Sequence, residues 1–147
     1  MNSNYQTKEG ERILTEQELA TVSANERRAS YYPINTTLNF KGEIRFIGYQ
    51  SSKGKALVKF DGVQKNGQPA GSPIPASMLM RTPFMKAEVL EKTEFQKQLN
   101  ACPTANAVWQ LIKGHIIKVV EVVTVSEVPF GEDKPRDVKY SIWDYAD

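Results

Sequence analysis

The stretch FKGEIRFIGYQSSKGKALVKF, residues 40–60, admits few folds. Taken two residues at a time, Phe40, Ile44 and Phe46 share a side with Gly42 and Gly48. Lys41, Glu43, Arg45, Ile47 and Tyr49 take the other side, the period of a half-buried strand. SSKG supplies a turn; Ala56, Val58 and Phe60 return on the apolar side, with Lys55, Leu57 and Lys59 outside. Glycines inside a strand weaken it unless a bend or a close approach needs them. Spaced as here, they suit a long first strand that coils around a small barrel. Phe40, Ile44, Phe46, Val58 and Phe60 are therefore expected inside, and Lys41, Arg45, Lys55 and Lys59 in solvent. A slip of one residue in register would exchange the two faces.

Around this hairpin the chain alternates local signals. Residues 1–12 are polar and aperiodic, the pattern of a mobile arm. TEQEL from Thr15 reads as a capping box and SANE from Ser23 repeats it, so one or two short helices are expected between Glu16 and Ser30, ending before Pro33. Asn66-Gly67 is the strongest turn signal of QKNGQPAGSP, and IPASMLM after it suits a short third strand or a helical turn. Helical pattern runs between Lys86 and Lys113, with Thr93 and Thr104 placed to cap two segments and Gly114 to end the second. HIIKVVEVVTV and VKYSIWDY, rich in β-branched and aromatic residues, read as strands joined by PFGEDKPRD.

Five strands with a helical segment between the third and fourth is the layout of the OB-fold, a partly open five-stranded barrel. Over residues 38–145 the chain resembles that family in strand order, and it is similar to the small single-stranded-DNA-binding proteins of phages and mobile elements. The expectation is a mainly β, OB-like barrel over residues 38–147, preceded by an arm and short helices over residues 1–37. In that family strands two and three and the loops between strands 1–2 and 4–5 hold the ligand. Lys41, Arg45, Tyr49, Lys55 and Lys59 of the outer face, and Lys53 in the first loop, are the residues this implies. The 4–5 loop adds Phe130, Lys134 and Arg136, beside the acids Glu132, Asp133 and Asp137.

Charge distribution points the same way. Net charge is only +2, but residues 41–81 hold seven bases against two acids, and the remainder twelve bases against fifteen acids. A basic segment in an acidic remainder fits an anionic partner. Other chemistries find less support. GYQSSKGKA has five residues between its glycines and Ala56 where a phosphate loop needs a hydroxyl. One cysteine, Cys102, and one histidine, His115, form neither a zinc cluster nor a nucleophile–base pattern, and no EF-hand spacing occurs. Trp109, at helical spacing with Ile112, suits a core. No cofactor is implied.

The expected function is non-enzymatic binding of single-stranded nucleic acid, with lysines on phosphates and aromatic rings on bases. The alternative is a small structural or adaptor protein, such as a phage virion component, contacting a protein partner or a second copy of itself. An apolar patch flanked by acids would favour the adaptor. No membrane association is expected, since no apolar run reaches spanning length, and the polar N-terminal stretch suits a cytoplasmic protein (in a host, if phage-encoded).

Overall fold

The computed structural model describes residues 5–24, 31–80, 91–128 and 131–147. Among these it forms eight strands: β1 (Arg12–Leu14), β2 (Thr37–Asn39), β3 (Arg45–Gln50), β4 (Ala56–Asp61), β5 (Gln64–Lys65), β6 (Ile74–Pro75), β7 (Ile116–Glu127) and β8 (Arg136–Tyr145). Two α-helices, α1 (Glu94–Asn100) and α2 (Ala105–Ile112), and 3-10 turns at Gln17–Thr21 and Ala76–Met78 complete it. The strands pair antiparallel into two four-stranded sheets, β1-β3-β4-β6 and β5-β2-β7-β8.

The hairpin of residues 40–60 forms in the expected register, Phe46 opposite Phe60 and Gly48 opposite Val58. The long first strand expected from Phe40 is strand only from Arg45, as β3, which pairs with β4 in the first sheet; β2, just before Phe40, pairs with β7 in the second. Residues 40–44 carry the chain between the sheets. Phe40, Phe46, Val58 and Phe60 are buried as expected, and Ile44 is half-buried against the same core.

Aromatic edges organise that core. Phe60 meets Phe40 at 5.9 Å and Phe46 at 6.2 Å, and Trp109 of α2 lies 5.1 Å from Phe46. Thr93 and Thr104 cap the helices by accepting from the backbone N–H of Gln96 and Ala107. The Thr93 hydroxyl also donates to the Trp143 carbonyl at 2.6 Å, which fastens α1 to β8. A register shift between Val119 and Glu121 changes which face of the long β7–β8 ribbon is buried. Val119 and Trp143 join the main core, whereas Val123, Val125, Tyr140 and Ile142 form a second cluster beyond the shift.

Three local expectations resolve in detail. Asn66 and Gly67 both take positive φ, 55° and 74°, which a two-residue hairpin turn requires. IPASMLM supplies both alternatives, the strand β6 and the 3-10 turn after it. The capping box at Thr15 forms reciprocally with Glu18, but it opens a 3-10 turn instead of an α-helix. The repeat at Ser23 and the start of the helical pattern at Lys86 extend beyond the described residues.

The N-terminal stretch departs most from expectation. Residues 5–14 are not a free arm: β1 pairs with β3, and Leu14, Leu19, Val22 and Ala24 enter the main core. Among the described residues no helix is long and apolar enough to cross a membrane.

Candidate nucleic-acid interface

The outer face of the first sheet is built by the alternation of β3 and β4. Arg45, Ile47 and Tyr49 project from β3, and Leu57 and Lys59 from β4, with Lys59 directly opposite Ile47. The positions follow the sequence pattern; their exposure does not. Arg45 and Lys59, expected in solvent, are half-buried and ion-paired. Arg45 bonds Asp61 through Nε at 2.9 Å and through its terminal nitrogen, which also donates to the Tyr5 carbonyl at 2.7 Å. Lys59 bonds Glu11 Oε2 at 2.8 Å, and its ammonium lies 4.6 Å from the centre of the Tyr49 ring.

Acids therefore neutralise the middle of the basic face, and one comes from far away in sequence. Residues 5–11 cross this face. Tyr5 holds Arg45 through its carbonyl and Glu11 Oε1 through its hydroxyl at 2.6 Å, while the Lys8 backbone N–H donates to the same carboxylate oxygen at 2.8 Å. Ile47, between Arg45 and Tyr49, has no exposed surface. Hydrogen bonds from Lys59 and Tyr5 hold the Glu11 carboxyl down at about 2. The same bond to Glu11 pushes the Tyr5 phenol up to about 12.

The remaining cations lie at the ends of the hairpins. Lys53 and Lys55 are exposed in the β3–β4 turn, whose shape is set by Ser51: its Oγ accepts from the backbone N–H of Lys53 and of Lys55 at 3.3 and 3.2 Å. Lys41 is exposed with its ammonium 3.7 Å from the Asp147 carboxylate. Lys134 is exposed in the β7–β8 loop; Arg136, beside it, faces Glu132 at 3.7 Å. Phe130 lies outside the described residues. The structure thus gathers Arg45, Tyr49 and Lys59 on one face with Lys53 and Lys55 at its tip, while Lys41, Lys134 and Arg136 stand on other elements.

A groove of about 270 Å³ opens beside this tip, lined by Arg12, Leu14, Glu18, Tyr49, Gln50 and Leu57 among others. Arg12, bonded to Glu18 at 2.6 Å, is a cation that the alternation pattern misses. Its strand has only three residues, too few for periodicity to register, and its partner strand lies more than thirty residues downstream.

No family model matches the chain, and neither a curated protein nor a solved structure does. Residues set aside in the sequence stand away from this face. Cys102 is half-buried, its thiol pushed up by burial and donating to the Gln98 carbonyl. His115 packs against Tyr145, ring centres 4.5 Å apart and tilted by 45°, and faces Asp147 at 3.3 Å. Among the described residues no three His, Cys, Asp or Glu side chains gather as a metal site would need.

Proposed function

We propose that this chain binds single-stranded nucleic acid without catalysing a reaction, engaging it first at the tip of the β3–β4 hairpin. The observation that carries the reading is the pairing of two exposed lysines, Lys53 and Lys55, with a tyrosine-lined groove beside their turn. Lysines neutralise phosphates, and an aromatic ring receives a base whatever its sequence. An OB-like barrel belongs to the same proposal. The two sheets run β1-β3-β4-β6 and β5-β2-β7-β8, and one continuous segment feeds both, as a coiled first barrel strand would. The neutralised centre of the basic face favours a second reading, the adaptor that contacts protein.

Fluorescence anisotropy with labelled oligo-dT, single-stranded and duplex, at several salt concentrations separates the two. Two engaged lysines give a logarithmic salt slope of about −1.4, so tripling the salt weakens binding roughly fivefold. The pair Lys53→Ala and Lys55→Ala should remove most of that slope. Tyr49→Ala should cost about 1–3 kcal/mol with the slope nearly unchanged, because stacking releases no counterions. Absence of binding at low salt, or a double-lysine variant that binds like the parent, would leave the adaptor reading in its place.

A further inference from the structure

Resting on the nucleic-acid reading above, we infer that residues 5–11 are an intramolecular competitor for the ligand, with the Glu11 carboxylate occupying the place of a phosphate on Lys59. Three observations converge. Glu11 is the anion on Lys59, at 2.8 Å, and Lys59 is held over the Tyr49 ring. Tyr5 spans the face from Arg45 to Glu11, and Ile47, on the same face opposite Lys59, is fully buried. Finally, this segment leads into the three-residue edge strand β1, whose Ile13 is 47% exposed. A cover made of one carboxylate, one phenol and a short edge strand can be exchanged for a polyanion at modest cost. The exchange would uncover Lys59, the face of Tyr49 and the apolar side chain of Ile47 together, the cation-plus-stacking combination that single strands use.

The contacts also explain why a chain with a basic hairpin carries so little net charge on that face. Glu11 and Asp61 neutralise Lys59 and Arg45 while the ligand is absent, and a strand with more phosphates than the cover has carboxylates would displace it by avidity.

The test compares Glu11→Gln with Glu9→Gln by the anisotropy titration against oligo-dT. Both variants lose one negative charge from the same segment, but Glu9 is exposed and forms no bond to Lys59 in the structure. Lys59 meets a phosphate in both complexes, so removing the carboxylate that must be displaced should leave the salt slope nearly unchanged and tighten binding by roughly fivefold near 0.1 M salt. Glu11→Gln should show that gain and Glu9→Gln should not. Tyr5→Phe, which keeps the ring and loses the bond to Glu11, should show a smaller gain. In the parent, the Glu11 carboxyl followed by NMR should titrate closer to 4.5, its ordinary value, once saturated with oligo-dT. Equal affinities for the two glutamate variants, or an unmoved Glu11 titration in the complex, overturn the competitor while leaving the binding function standing. Failure of the parent and every variant to bind overturns both.

Discussion

At Gly48 the first sheet depends on a missing side chain. It lies opposite Val58 on β4 and Arg12 on β1, and a Cβ built there would stand 2.7 Å from Leu14 Cδ2 and 2.9 Å from both Cδ1 and Cγ. The whole isobutyl group of Leu14, not only its end, would have to move, and Leu14 is part of the main core. Gly48→Ala should therefore act as overpacking and cost about 1–3 kcal/mol. In a chain of this size each kcal/mol lowers Tm by about 2–4 °C. Leu14→Ala alone removes core volume and should cost about 2 kcal/mol, the low end for such truncations, because the side chain sits at the core's edge. Combined, the two should cost less than their sum by about 0.5–3 kcal/mol, since the small residue makes room for the new methyl. Urea denaturation followed by tryptophan fluorescence suits the measurement, because Trp109 and Trp143 are both buried in that core. Additive costs, or a Gly48→Ala protein as stable as its parent, would show that β1 does not seat Leu14 on Gly48.

Two further outcomes are expected. The folded Glu11 carboxyl titrates near 2 against an ordinary 4.5, so its stabilising contribution is complete above 4.5 and lost as pH falls from there toward 2. For Tyr5, raised from 10.0 to about 12, the contribution is complete below 10 and lost as pH rises toward 12; Tm measured against pH should fall at both ends, and Glu11→Gln should flatten the acid limb. Thr104→Ala, which removes a helix cap alone, should cost about 1 kcal/mol by chemical denaturation. Thr93→Ala, which also loses the bond to the Trp143 carbonyl, should cost more; equal losses would show that this bond adds nothing.

What could be read from the sequence was what short-range chemistry decides. Thr93, Thr104, Gly114 and the Asn66-Gly67 turn act within four residues, and each does what its neighbours imply. The faces of the 40–60 hairpin followed because alternation is itself a local rule. Lys59 shows where that reasoning ends: its side of the strand was legible, but the acid that occupies it lies 48 residues away, on a segment with no periodic pattern. For Arg45 the acid was visible nearby, yet only the β3–β4 register brings Asp61 opposite it. Likewise nothing in residues 37–50 marks the change of sheet except Gly42, whose meaning depends on the strands that pair on either side.

That change of sheet has a consequence for how the molecule comes apart. Residues 37–50 contribute β2 to one sheet and β3 to the other, and β2 meets β7 through partners such as Thr37 and Lys118. The β3–β4 hairpin closes over a handful of residues, whereas the β2–β7 pairing closes over most of the chain and carries the larger loop entropy. Pulling the shared segment from either sheet strips an interior strand from one and leaves the other tethered to a disordered end. The two sheets are therefore coupled: the hairpin can close on its own, but neither sheet is finished until the same fourteen residues have found partners on both sides.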